Sequence, residues 1–214
     1  MKRHLLISLL IALVLVPVST TIADVMDFKG TALTAAVRLH ASGYIADGER
    51  VLAGQYLYGY HGQDYHAFCV DIDHYAGTTE VVQRPVTSLN NGDLVGYLFD
   101  TYSPAVTTGN QAAGLGVAIW EVLFESSANA FDPLGGEFRI SDNTAVGSIA
   151  AGYLSTLPPT GTYTPSADLV VLDSRCKQDM LIAIPEPAAA MLIVLGSLGL
   201  LGRRKQARRP ESMR

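Results

Sequence analysis

Two uncharged apolar runs, one near each end of the 214-residue chain, constrain its fold more than any other feature. The first run, residues 5–16, follows Lys2 and Arg3 and precedes small residues at the third-last and last positions of a segment ending at Ala23. This order predicts a signal peptide over residues 1–23. An uncleaved N-terminal anchor is the alternative. The residues that follow are predicted to fold outside the cytoplasm.

The second apolar run, residues 188–202, is followed by a basic cluster that begins with Arg203 and Arg204. As a helix it would reach about 22 Å, against about 30 Å for the hydrocarbon layer, so it predicts a single, short transmembrane helix. Because Lys and Arg mark the cytoplasmic side of a span, residues 203–214 are predicted to be a basic cytoplasmic tail.

Charge is distributed unevenly along the chain. Residues 24–184 contain 18 acidic and seven basic side chains, a formal charge of −11, whereas the chain as a whole carries −5. A body of this charge would repel phosphate backbones, so no nucleic-acid partner is predicted.

The sequence before the second apolar run is Pro185-Glu186-Pro187. Together with the short apolar helix and the Arg cluster, it resembles the PEP-CTERM sorting signal over about residues 178–209. The resemblance implies a diderm bacterium, processing near this motif by a membrane-embedded exosortase, and a link to exopolysaccharide or biofilm matrix. The alternative is a plain C-terminal anchor whose prolines end the preceding extended segment.

The middle of the chain shows no internal repeat, and its pattern predicts one α+β domain, a β-rich sandwich or barrel-like body with a helical insertion. The domain is predicted over residues 24–177, followed by a linker over 178–187. The predicted strands are residues 51–60, 65–73, 79–83, 169–172 and 180–184, the first two forming a hairpin around 61–64. The predicted helices are residues 92–102, 111–125 and 143–157, the first two capped by Asn91 and Asn110.

Cys69 lies in the segment Phe68-Cys69-Val70-Asp71, and a predicted buried helix contains Val117-Ala118-Ile119-Trp120-Glu121. The two segments resemble the thioester domain of bacterial surface proteins, over about residues 45–180. The resemblance implies a cysteine and a glutamine that condense with loss of ammonia. The acyl link is then open to attack by an amine on a target surface.

The family's glutamine position is occupied by Gly116, which has no side-chain carbonyl. Gln111 is the nearest glutamine, but five helical residues rotate its side chain by about 140° and displace it by about 7.5 Å. It would reach Cys69 only if the helix began unwound. The sequence therefore predicts a thioester-like domain without a thioester, and a covalent adhesin using Cys69 and Gln111 is an alternative.

Cys69 could be in one of three chemical states in an exported chain. A disulfide with Cys176 and a buried free thiol are both compatible with the sequence. An activated nucleophile is the weakest reading, because neighbouring carboxylates disfavour a thiolate.

The segment from His61 to His74 also contains His66, Asp71 and Asp73, all residue types that bind metals. Strand alternation would place His66 and His74 on one face and the two aspartates on the other, so no metal site and no cofactor are predicted. Asp71 is predicted to hold a turn.

Trp120, the sole tryptophan, is predicted to pack in the core. Glu121 and Glu125, one helical turn apart, are predicted to form a solvated edge. Paired carboxylates also occur in glycoside hydrolases, so an envelope glycan hydrolase using Glu121 or Asp73 is a further alternative.

These observations together predict an exported, non-enzymatic envelope or matrix protein with a structural or adhesive role. Its predicted partners are an exosortase, transiently, and either an exopolysaccharide or a surface protein.

Overall fold

The computed structural model describes residues 24–126 and 130–185, and within these ranges it contains seven strands and three α-helices. The strands are β1 (Asp24–Ala41), β2 (Arg50–Tyr60), β3 (Gln63–Cys69), β4 (Thr79–Pro85), β5 (Phe138–Ser141), β6 (Leu169–Asp173) and β7 (Met180–Ala183). The helices are α1 (Gly92–Tyr102), α2 (Gly109–Phe124) and α3 (Thr144–Leu154). One large antiparallel sheet with few helices confirms the predicted α+β class.

The sheet is organised around β1, the longest strand. Its strand order is β2-β3-β7-β6-β4-β1-β5, with an additional pairing between β2 and β1. Because β1 also pairs with β2, six strands form a closed ring, and β5 pairs with β1 outside that ring. β1 can serve three neighbours because it pairs β4 through Asp24–Met26, β2 through residues 26–38 and β5 through residues 38–41.

Helix α2 is the central element of the core. It is buried almost all round from Ala112 to Leu123, as its apolar sequence predicted, and it packs against α3, β1 and β2. Its C-terminal carbonyl groups are held by the start of α1: Asn91 Nδ2 donates to Val122 O at 2.9 Å, and Asn90 Nδ2 donates to Leu123 O at 3.3 Å. This satisfies acceptors that a helix end otherwise leaves unpaired.

The predicted elements largely exist, but several boundaries differ. The hairpin forms as β2 and β3 around His61 and Gly62, which both have positive φ, the geometry of a tight two-residue turn. Strand β3 ends at Cys69, so the predicted strand to residue 73 was wrong beyond that point. Strands β1 and β5 were not predicted.

The three helices lie where the sequence placed them. Helix α1 has the predicted bounds, and Asn91 lies at its N-cap in a left-handed conformation without a side-chain capping bond. Asn143 does cap α3, its side chain accepting from Val146 N at 3.2 Å. Helix α2 begins earlier than predicted, and Thr108 rather than Asn110 is its N-cap.

The predicted signal peptide, Glu186 and Pro187, the predicted transmembrane helix and the basic tail lie outside the described residues. In the part of the chain that the structure describes, none of the helices has the length and apolar character needed to cross a bilayer.

Candidate functional site

Cys69 lies at the end of β3, buried between the sheet and α2. Its thiol donates to Asp71 O at 2.6 Å and accepts from Asp71 N at 3.4 Å, which closes a local turn. Its carbonyl oxygen accepts from Trp120 Nε1 at 2.9 Å, so the buried indole joins α2 to the end of β3. The prediction that Trp120 packs in the core is confirmed.

The surroundings of Cys69 disfavour a thiolate. Burial raises the pKa of the Cys69 thiol far above its usual range, and the nearby Asp71 and Asp179 carboxyl groups raise it further. The thiolate is the nucleophilic form of cysteine. Cys69 is therefore a buried hydrogen-bond donor, and the geometry does not support an activated nucleophile.

Gly116, which the predicted thioester resemblance would align with that family's glutamine, lies in the contact between α2 and β2. A Cβ atom there would lie 3.1 Å from Gly54 N and 3.6 Å from Gly54 Cα. The absence of a side chain allows the two backbones to approach closely. Gly116 therefore has a packing role.

Gln111 forms part of the cap of α2. Its Oε1 accepts from Thr107 N at 3.0 Å and from Thr108 N at 3.1 Å, and its backbone N donates to Thr108 Oγ1 at 3.3 Å. This is a capping box, and it starts a regular helix. Trp120, which contacts Cys69, lies about 13 Å further along the helix axis. Gln111 is therefore not brought to Cys69.

A different glutamine, Gln178, shares a hydrogen-bond acceptor with the thiol. Its Nε2 donates to Asp71 O at 3.3 Å, the same carbonyl oxygen that accepts from Cys69. Its Oε1 is buried and has no hydrogen-bond partner. Sequence reasoning missed Gln178 because it lies in no recognisable motif and reaches Asp71 only through the pairing of β7 with β3.

Asp71 and Asp73 hold two loops, residues 42–49 and 70–78, in place. Asp71 Oδ1 accepts from Asp73 N at 2.7 Å, its Oδ2 lies 2.6 Å from His74 Nδ1, and Asp73 Oδ1 accepts from Ile45 N at 3.1 Å. The predicted turn-holding role of Asp71 is confirmed. The predicted alternation of these residues was wrong, because the chain leaves the strand after Cys69.

The remaining histidines of the segment from His61 to His74 are dispersed. His61 Nε2 pairs with Asp24 at 2.9 Å, and His66 Nδ1 lies 3.2 Å from Gln55 Oε1. Among the described residues, no three His, Cys, Asp or Glu side chains are grouped as metal ligands would be.

The two cysteines are both free thiols in the structure, Cys69 buried and Cys176 exposed. Of the alternatives that the sequence left open, the structure therefore has the buried free Cys69 and not the disulfide with Cys176. Cys176 Sγ lies 3.6 Å from Thr79 Oγ1, at the surface.

We expect iodoacetamide to modify native Cys176 at least about 100-fold faster than Cys69, because alkylation requires an accessible thiolate. Peptide mapping by mass spectrometry after timed quenching measures both rates. In a Cys176→Ser variant, labelling should appear only after denaturant is added. Comparable rates for the two cysteines in the native chain would contradict the buried position of Cys69.

A small cavity of about 40 Å³ lies beside this site. Trp120, Ile72, His74 and Gln178 are among the residues that line it. Its remaining walls come from β1, β2 and the loops 42–49 and 70–78.

Glu121 and Glu125 are buried, so the prediction of a solvated edge was wrong. Glu121 Oε1 accepts from Asp132 N at 2.7 Å, and Glu125 Oε2 accepts from Glu137 N at 2.9 Å and Phe138 N at 3.1 Å. The two carboxyl groups fasten the segment before β5 onto α2. Their spacing placed them on one face, but α2 has no solvated face at this end.

Glu121 carries a second oxygen, Oε2, that is buried without a hydrogen-bond partner. Burial raises the pKa of Glu121 to about 8, and the Glu125 and Asp132 carboxyl groups add to the effect, against the lowering by the Asp132 amide. Glu121 is therefore protonated at neutral pH.

No family model, curated protein or solved structure matches the chain. What the site does must therefore be inferred from its own chemistry. That chemistry gives no support to the glycan hydrolase alternative, because Glu121 has no exposed surface and Asp73 is engaged by the Ile45 amide.

Proposed function

We propose that this chain is an exported, non-enzymatic protein of the cell envelope or extracellular matrix, with a structural or adhesive role. The body resembles a thioester domain but forms no thioester. The proposed route is export through the inner membrane, C-terminal anchoring with the body outside, and processing by an exosortase near Pro185. The mature chain then lies at the cell surface or in the medium, in contact with an exopolysaccharide or a surface protein.

The state of Cys69 carries this proposal. A thioester requires a thiolate that attacks a side-chain carbonyl. The Cys69 thiol is instead buried and donates to Asp71 O, while Gly116 packs on Gly54 and Gln111 caps α2. These contacts support a passive binding or structural module over a covalent adhesin.

The residue that would begin the mature chain is tied to the folded body. The Asp24 carboxylate accepts from Tyr60 Oη at 3.0 Å and pairs with His61. At the other end, β7 ends at Ala183, two residues before Pro185. Processing at the proposed positions would therefore leave these contacts and β7 intact.

The test expresses the chain in a diderm host that has an exosortase and isolates it from the envelope and the medium. We expect the isolated chain to begin at Asp24 and to lack its basic tail. Its intact mass should show no loss of ammonia, and methylamine should add nothing. A Cys69→Ala variant is the control, and it should differ from the native chain only by the mass of the substitution.

Two results would contradict the proposal. A chain that keeps residues 1–23 and remains in the cytosol would exclude export. A native mass lower by one ammonia, to which methylamine adds its own full mass, would show a thioester. It would then point to Gln178, whose carboxamide shares Asp71 O with the thiol.

A further inference from the structure

Three exposed apolar side chains surround the mouth of the small cavity beside Trp120. Ile45 is 61% exposed, Leu52 is 45% exposed and Tyr75 is 71% exposed, and all three line the cavity. Isolated exposed apolar residues are common on protein surfaces, but a group around one cavity marks an interaction site. The floor is apolar as well, with buried Trp120 and Ile72.

The rim of this cavity is held rigid by hydrogen bonds. Ile45 N donates to Asp73 Oδ1 at 3.1 Å, which ties loop 42–49 to loop 70–78. Gln178 N donates to Tyr75 O at 3.3 Å, and Gln178 Nε2 donates to Asp71 O. A rim fixed in this way loses little conformational freedom when a partner binds.

The size of the cavity restricts what can occupy it. About 40 Å³ accommodates roughly three water molecules, far less than the 300–1,000 Å³ typical of small-molecule sites. One bulky side chain is the group that such a volume and rim accommodate. Buried apolar anchors of this kind dominate the energetics of protein interfaces.

Charge and hydrogen bonding indicate the chemistry around that side chain. Loops 42–49 and 70–78 contain four acidic side chains, Asp47, Glu49, Asp71 and Asp73, and His74 is already paired with Asp71. Two cations lie against these loops, Arg38 donating to Gly48 O at 2.7 Å and Lys177 packing on Gly77, so acidic groups remain in excess. Gln178, which lines the cavity, has a buried Oε1 that lacks a donor. A partner that supplies N–H donors and positive charge therefore complements the site.

We infer that this cavity and rim form a docking site for a partner protein that inserts one bulky apolar side chain flanked by Lys or Arg. A second copy of the chain is a poorer occupant, because bodies with a formal charge of −11 repel each other. The inference rests on the adhesive role proposed above and gives its partner a chemistry. Its test measures neither export nor thioester formation, so the docking site and the proposed function can each fail independently of the other.

The test uses the full chain in zwitterionic lipid vesicles and the peptide acetyl-Lys-Leu-Lys-amide. Trp120 is the sole tryptophan, so the emission at tryptophan wavelengths reports on the cavity floor. We expect a saturable change in emission. The affinity should be about tenfold lower for acetyl-Glu-Leu-Glu-amide and for acetyl-Lys-Ser-Lys-amide, and it should fall as salt is added.

Two serine variants provide matched controls. Ile45→Ser should weaken peptide binding about tenfold, whereas Val82→Ser should leave it unchanged. Val82 is 63% exposed, almost the same as Ile45, but it lies on β4 outside this cavity. Circular dichroism should show that both variants fold.

The inference would be overturned by equal binding of the acidic and basic peptides, by equal effects of the two variants, or by no response from Trp120. An emission change that depends on protein concentration without peptide would instead identify a second copy as the occupant. A response to soluble polysaccharide but not to the peptide would identify a glycan.

Discussion

Replacing Gly54 by alanine is expected to lower the free energy of unfolding by at least about 3 kcal/mol. Gly54 has a φ of +128°, and a Cβ atom there would lie 2.3 Å from Leu33 O and 3.2 Å from Ala112 Cβ. The obstacle in β1 is backbone, so it cannot move aside as a flexible side chain would. The measurement is urea denaturation followed by Trp120 emission.

Gly152→Ala is the matched control for this prediction. Gly152 lies exposed in α3, where a Cβ would meet nothing within 4 Å. The same substitution should there stabilise the protein by about 0.5–1 kcal/mol, because alanine favours the helix. If Gly54→Ala proved no more destabilising than Gly152→Ala, the close approach of β1, β2 and α2 would be wrong.

The second large effect concerns pH. We expect the free energy of unfolding to fall as pH rises towards 8, and Glu121→Gln to remove most of that slope. Glu121 has a raised pKa of about 8 in the folded chain, against an ordinary value of 4.5. Between these values the folded state holds a proton that the unfolded state has released, so raising the pH favours unfolding.

The glutamine side chain of the Glu121→Gln variant is neutral at every pH. The free energy of unfolding of the variant should therefore increase relative to that of the native chain as pH rises. Over the range between pH 4.5 and pH 8, the gain should reach about 5 kcal/mol. Asp179, whose pKa burial raises to about 6, contributes a slope of the same sign at lower pH. Denaturation curves collected between about pH 6.5 and 8 therefore isolate Glu121, since Asp179 has by then largely ionised.

Glu125→Gln is the control for the neighbouring position. The Glu125 carboxyl group accepts from the Glu137 and Phe138 amides, whereas a carboxamide has only one acceptor oxygen beside its NH2 donor. The substitution should therefore lower the free energy of unfolding by about 1.5–3 kcal/mol. Native and Glu121→Gln curves with the same slope above pH 6.5 would refute the protonated state of Glu121. If the two glutamine variants changed the pH dependence of unfolding equally, Glu121 could not be distinguished from Glu125 as the protonated acid.

The elements that the sequence predicted well are those determined by local pattern. Helix α1 has apolar residues at helical spacing between Asn91 and Pro104, and its bounds were predicted to the residue. The β2–β3 hairpin is marked by aromatic and β-branched residues on either side of Gly62. Both depend on neighbours within about 20 residues.

Strand β1 was missed because its sequence does not alternate as an ordinary strand does. Register shifts between Phe28 and Gly30, and between Thr31 and Thr34, interrupt the period of two. The strand pairs on both edges with three other strands, so its inward and outward positions depend on segments far along the chain. Strand β5, with four residues, is too short to show a pattern.

In the site, too, residues in local motifs were predicted and residues placed by distant contacts were not. The sequence could identify Cys69, Gly116 and Trp120 from local motifs, and it could exclude Gln111 by helix geometry. It could not place Gln178 beside Asp71, or bury Glu121 and Glu125, because these contacts are made by loops whose positions only the assembled sheet determines.

Strand β7 completes the ring by pairing with both β6 and β3, joining Leu181 to Phe68 and Met180 to Cys69. Contacts between such distant residues form slowly, because a long loop must close before they contribute. The ring of strands therefore closes only when nearly the last residue of the body is available. Under the export proposed above, this late closure would keep the chain unfolded while it crosses the membrane.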